Sequence, residues 1–326
     1  MMKQDALTYP AVTSKRRTAR CTLADDQSPA AMYAQLAKMG LIDRLLELAR
    51  DEDLGSPPSD VTSELAIAPD AAALARIVAR EPCTVAGLAV APDLLRVFHA
   101  NCTFSPAVSD GDSVAAGAVL GAIQGHGRDL LKIERTVLNL LGRLSGVATN
   151  TAQFVARIEG AGARLLDTRK TTPGLRALEK YAVRCGGGQA HRLGLYDAVL
   201  LKDNHFIGMD ERDIMRFVTD VARQARCDER VRFVEVEVDT LDQLRAVLAA
   251  PDELIDITLL DNMTTNELEA AVRIRDASGR AMALEASGGV TLDTVLAIAM
   301  TGVERVSVGA LTRDAKTVDI ALDFQA

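Results

Sequence analysis

Apolar positions along the chain change their period three times. After Ser28-Pro29, the residues Met32, Leu36, Met39, Ile42, Leu45 and Leu46 recur near helical spacing, and Gly55-Ser56-Pro57-Pro58 stops the run. Between residues 74 and 126 the pattern shortens to strand-length stretches such as Ala75–Ala79 and Val119–Ile123. Turns at Asp110-Gly111-Asp112 and Gly117 punctuate them, which predicts an antiparallel sheet with one helix around Pro92–His99. A helical period then returns from Asp129 to Ile158. It sets Leu130, Ile133, Val137, Leu141 and Leu144 on one face, with Gly142, Ser145, Gly146 and Ala148 small enough for close packing. This helix can bridge two domains.

From Arg164 onward, short aliphatic runs end in polar residues and alternate with helical stretches. The runs are Leu165-Leu166, Ala198–Leu201, Phe233–Val238, Ile257–Leu260, Ala283–Ala286 and Val306–Val308. Six such β-α repeats predict a parallel α/β barrel, whose active site forms at the C-terminal ends of the strands.

Composition sharpens this picture. Aromatics make up 3% and Trp is absent, so the core is aliphatic. The net charge of −8 argues against a general nucleic-acid binder. Five cysteines with no CxxC spacing argue against a disulfide framework or zinc site and fit a reduced cytoplasm. No apolar run reaches membrane-spanning length. Lys15, Arg16, Arg17 and Arg20 lie in a polar stretch without an apolar segment, so residues 1–28 are expected to be a flexible extension.

Charge is unevenly placed. Residues 164–204 hold eight cations against four anions, opposite to the chain as a whole. Arg176, Lys180 and Arg184, at i, i+4 and i+8, are most simply a solvated helix face. Arg169, Lys170 and Lys202 sit at strand ends, where cations point to an anionic ligand. Ser287-Gly288-Gly289 and Val308-Gly309-Ala310 follow the last two strands and suit phosphate binding by backbone N–H groups. Glu235 and Glu237 share one strand face, and a buried unpaired pair would be costly. Glu237 and Asp261, at neighbouring strand ends, suit a Mg²⁺ ion held partly by substrate; simple pairing with the cationic cluster is an equal alternative. His205 reads as structural, and His99 and His126 as isolated. The DGDSVAAG turn at 110–117 is similar to that of swinging-arm carrier domains but lacks a tip lysine.

Several motifs resemble those of quinolinate phosphoribosyltransferases. They are Asp167–Arg176 (DTRKTTPGLR), Lys180–Asp197 (KYAVRCGGGQAHRLGLYD), Leu201–His205 (LKDNH), Glu134–Leu140, Glu235–Asp239, Leu259–Asn262, Glu285–Val290 and Ser307–Thr312. They fall in family order over nearly all the chain after about residue 40. The resemblance implies an N-terminal α/β sandwich domain over 29–146, able to take back the segment 313–326, and an incomplete, open parallel α/β barrel over 147–312. It implies transfer of phosphoribose from phosphoribosyl pyrophosphate to quinolinate, with loss of carbon dioxide, usually with Mg²⁺, on the way to NAD. Arg169, Lys170, His191, Arg192 and Lys202 match the family's basic pocket, with Thr168 beside them. Arg135 matches an arginine reaching into the neighbouring subunit's site, which implies at least a homodimer. Glu237 and Asp261 match the acidic pair near the ribose. Ser287, Gly288, Gly289 and Gly309, flanked by Val308 and Ala310, match the 5′-phosphate loops. Lys170, Lys202, Glu237 and Asp261 are the expected catalytic groups. Rival readings are a molybdenum-transport-associated homologue, a nicotinate-using transferase and a non-catalytic phosphosugar-binding subunit.

Overall fold

The first expected helix is two helices. The computed structural model describes residues 27–209, 211–251 and 253–325, so the expected extension falls largely on residues 1–26, outside the described ones. Ser28, its last residue, caps α1 (Pro29–Ala37) by accepting the Ala31 N–H at 3.2 Å. α2 (Leu41–Leu54) starts after Gly40, whose φ of 70° breaks the helical path. The buried positions Met32, Leu36, Ile42 and Leu46 continue in phase across the break, so periodicity alone could not reveal it. A short α3 (Val61–Ala66) follows, capped by Asp60.

The antiparallel sheet is present. β1 (Ala72–Ala79) pairs with β5 (Val119–His126) and with β12 (Ile320–Phe324), while β3 (Cys102–Pro106) flanks β5, giving the order β12-β1-β5-β3. Ala75 stands opposite Ile123 and both are buried, so period-two alternation sends one face inward. A two-stranded ribbon of β2 (Cys83–Thr84) and β4 (Ser113–Val114) and the helix α4 (Ala91–Val97) complete this unit.

α5 (Gly127–Arg157) runs 31 residues, about 46 Å, and packs on both the antiparallel unit and the barrel. Leu130, Ile133, Val137, Leu141 and Leu144 are all buried along it. Its glycines let another segment ride on it. A β-carbon at Gly142 would lie 2.7 Å from the Val318 carbonyl oxygen, and Val318 N–H donates to the Gly142 carbonyl at 3.0 Å. The chain leaving the barrel crosses here and becomes β12.

Six parallel strands form the second unit, at the positions expected from the sequence: β6 (Arg164–Leu166), β7 (Val199–Leu201), β8 (Val234–Val238), β9 (Ile257–Asp261), β10 (Ala283–Ser287) and β11 (Arg305–Ser307). Their order is β6-β11-β10-β9-β8-β7, so β6 and β7 are unjoined edges and the barrel is open. α6 (Arg176–Cys185), α7 (Glu211–Ala225), α8 (Leu241–Leu248), α9 (Thr265–Ala277) and α10 (Val295–Ala299) connect them, and the short α11 (Ala310–Arg313) follows β11. Thr240 with Gln243, and Thr264 with Glu267, form capping boxes just after β8 and β9. These fix sharp strand-to-helix turns and leave the strand-end residues facing one mouth.

Candidate active site

Three cations gather at the mouth without carboxylate partners among the described residues: Arg169 and Lys170 after β6, and Arg192 on the segment before β7. Arg169 Nε is buried and has no hydrogen-bond partner. Burial, and then the nearby charge of Arg169, lower the pKa of Arg192. The main chain of Lys170 is pinned: its N–H donates to Thr168 Oγ1 at 3.0 Å and its carbonyl accepts from Thr312 Oγ1 at 2.7 Å. Like charges held together and unpaired leave an unmet demand for anions.

Lys170 also lines a cavity of 340 Å³ with Thr168, Ser287, Gly288, Gly289 and Gly309. A β-carbon at position 309 would sit 2.8 Å from Lys170 Cδ, so Gly309 lets the lysine lie along the cavity wall. Gly288 has a φ of 98° and turns the loop after β10. Val308 differs from its neighbours: its side chain is buried and its N–H donates to the Leu166 carbonyl at 2.9 Å. It lies behind Ser307 and Gly309, which line the cavity, and its N–H is already used.

The two glutamates of β8 separate by depth. Glu237 lies at the rim and pairs with Lys202, whose main-chain N–H is held by His205 Nδ1 at 3.0 Å. Burial raises the pKa of Glu237, Lys202 opposes this, and Asp261 and Asp203 raise it further. Asp261 ends β9 and accepts the Asn262 side-chain amide at 2.6 Å. Glu235 is fully buried, with Oε2 3.0 Å from His191 Nε2, and Glu285 Oε1 lies 3.1 Å from the same nitrogen. The costly unpaired Glu235–Glu237 couple is therefore not present. His191 is buried, with its Nε2 within 3.1 Å of both of these carboxylates. Burial lowers the pKa of its ring, and Glu285 and Glu235 outweigh that and push it up to about 10.

The expectation of a solvated Arg176–Lys180–Arg184 face is overturned. Lys180 is fully buried, with Nζ 2.5 Å from Asp167 Oδ1, because α6 turns this side toward the end of β6. Arg176 donates to Thr171 Oγ1 at 3.0 Å and Arg184 to the Gln27 carbonyl at 2.6 Å. Arg135 stands on the exposed side of α5 and makes no hydrogen bond or ion pair with the described residues.

Some contributors have little signal in the sequence. Arg143 holds the buried Glu179 at 2.7 Å and the Thr312 and Ala315 carbonyls at 2.6 and 2.8 Å, bracing the loops beside the cavity. Asp110 accepts the Leu88 and Ala89 N–H groups and the Tyr181 hydroxyl, tying the antiparallel unit to α6. Asn262 has a left-handed φ of 53°, and its position directly after a strand-end Asp is the signal that could have found it.

A glycine-lined cavity of 340 Å³, cations without carboxylate partners and rim carboxylates at the mouth of an open α/β barrel define the class, a protein with a site for anionic, phosphate-bearing ligands. Residues 60–145 match the N-terminal domain and 147–323 the C-terminal domain of quinolinate phosphoribosyl transferase. The chain belongs to this family. It is 42% identical to the nicotinate-nucleotide pyrophosphorylase (carboxylating) of Mycobacterium leprae, over 81% of this chain and 91% of that one. It is 36% identical to the mitochondrial quinolinate phosphoribosyltransferase (decarboxylating) 2 of Nicotiana glauca, over 86% and 81%. The nicotinate-nucleotide pyrophosphorylase structure from Francisella tularensis superposes with a TM-score of 0.77 at 39% identity, covering 88% of this chain and 96% of that one.

Proposed function

We propose that this chain joins quinolinate to phosphoribosyl pyrophosphate and releases pyrophosphate and carbon dioxide, giving nicotinate mononucleotide for NAD synthesis. The observation that carries this reading is the set of cations Arg169, Lys170 and Arg192, without carboxylate partners among the described residues, beside a cavity of 340 Å³ lined by Ser287, Gly288, Gly289 and Gly309. Arginines suit the two carboxylates of quinolinate. Lys170 suits the junction between them and the phosphosugar. As diphosphate leaves, the sugar gains positive charge, which Glu237 stabilises from the rim. Lys202 holds that carboxylate in place. Once the ring nitrogen bonds to the sugar it is cationic, and it stabilises the carbanion left when the adjacent carboxylate departs as carbon dioxide; a proton from water then replaces the lost group.

Glu237 and Asp261 are oxygen donors at neighbouring strand ends, a set that fits a hard cation but is too small to enclose one. They would hold Mg²⁺ together with the diphosphate, whose charge it would neutralise when bound. Arg135, exposed and unpartnered, supports a second copy of this chain completing the site. The exposed apolar residues Leu41, Leu48, Leu195 and Tyr196 support the same assembly. The four described cysteines are free thiols, and no described helix is long and apolar enough to cross a membrane; both support a cytoplasmic setting.

An assay with quinolinate and phosphoribosyl pyrophosphate, following carbon dioxide and nicotinate mononucleotide, tests the reaction. Equal turnover of nicotinate would reject the substrate choice. For the shared site, Arg135→Ala and Lys170→Ala proteins should each be nearly inactive and recover activity when mixed. No recovery despite subunit exchange would reject it.

A further inference from the structure

The gap between the edge strands β6 and β7 is filled by a short segment, not by a strand. Gln189 makes a parallel bridge to Leu166: its N–H donates to the Leu165 carbonyl at 2.8 Å, and Asp167 N–H donates to its carbonyl at 3.0 Å. His191, two residues on, is held by its main chain and by its Nε2. Its N–H donates to Asp167 Oδ1 at 2.9 Å, and its carbonyl accepts from Arg232 at 2.9 Å. Its ring stands edge-on to Phe233, with centroids 5.6 Å apart. Its Nε2 reaches across the barrel interior to Glu235 on β8 and Glu285 on β10, and Glu285 is also held by Arg305 of β11 at 2.7 Å.

Neither carboxylate has any exposed surface, so neither meets a ligand at the mouth. Two cations balance two anions here in a region closed to water. The three side chains also form a His–Glu–Glu donor set. Arg305 and the ring proton already neutralise it, so no cation is assigned to it. Arg192 follows His191 directly and has to be kept beside Arg169 against mutual repulsion. Among the described residues no carboxylate forms an ion pair with it; its Nη1 donates to the Ala198 carbonyl at 3.4 Å, and the charges of Glu235 and Asp197 attract it from further off. The segment that carries it must supply the rest of the restraint.

We propose that Glu235 and Glu285 are positioning residues for quinolinate. Acting through His191, they clamp the segment that plugs the open barrel and so deliver Arg192 to the pocket. The inference rests on the proposed reaction, in which Arg192 takes a quinolinate carboxylate.

Glu235→Gln is the test, because among the described residues His191 is the one cation within ion-pair distance of Glu235, at 3.0 Å, and the change keeps the side chain's size. Titration should show quinolinate binding weakened about tenfold, the scale of one coupled contact. KM for phosphoribosyl pyrophosphate, and kcat at saturation of both substrates, should stay within about threefold. In a His191→Gln background, Glu235→Gln should add no further loss. Unchanged quinolinate binding, equal loss for both substrates, or additive losses in the double variant would overturn the inference. Should His191→Gln fail to fold, the two-substrate comparison on Glu235→Gln decides alone. Failure of the parent chain to bind quinolinate would overturn the proposed reaction as well; an unaffected variant of a binding parent overturns only the inference.

Discussion

Gly146 of the bridging helix lies directly under the carbonyl of Lys316: a β-carbon added there would fall 1.9 Å from that oxygen. Both partners are main chain, so no side-chain rotation relieves the clash. Gly146→Ala should therefore destabilise by about 1–3 kcal/mol or more, by forcing the 315–318 crossing off the helix. Thermal unfolding checks this, and a gain in stability from the better helix former would refute it.

Lys180 and Asp167 form an ion pair with no exposed side-chain surface. Burial lowers the pKa of the lysine and the charge of Asp167 opposes it. Lys180→Met should cost about 3–5 kcal/mol, because it strands a buried carboxylate. Adding Asp167→Asn should return part of that loss in urea denaturation. If the double variant is the less stable of the two, the pair is not the source of the effect.

Glu237 and Asp261 should govern rate more than quinolinate affinity, because carboxylates cannot attract a dianion. Glu237→Gln and Asp261→Asn are expected to lower kcat by about 10²–10³ while quinolinate dissociation constants move only a few-fold. Direct titration beside steady-state kinetics separates the two. Lost binding with normal turnover at saturation would assign both residues to docking instead.

The pH profile follows from the same group. Glu237 acts as a carboxylate, and its pKa is raised above 4.5 by burial, against Lys202, with help from Asp261 and Asp203. Activity should therefore fall on the acid side at a pH above 4.5, as Glu237 takes up a proton. Asp261→Asn removes one of the raising charges, so in its residual activity the acid limb should move to lower pH. An upward shift or an unmoved limb would assign the limb to another group.

Much of this molecule was legible in its sequence because the signals are local. Each barrel strand is an aliphatic run ending in polar residues, so β6 to β11 and the residues at their ends could be placed from the chain alone. Lys180 could not, since its partner Asp167 lies 13 residues away on the end of a strand, and helical spacing with Arg176 and Arg184 resembles a wet face. Parity put Glu235 and Glu237 on one side of β8, but their depth depends on the closed part of the barrel and on His191 entering through its open side. The break at Gly40 was hidden because the apolar phase runs through it.

The pairing of β12 with β1 bears on how the chain is made. β1 is translated among the first strands, yet the neighbour it needs on one edge, residues 320–324, emerges from the ribosome only after all six barrel strands. The first unit must wait with an open edge while the second folds. Premature termination before residue 320 would therefore damage the unit at the opposite end of the sequence, leaving the barrel strands themselves intact.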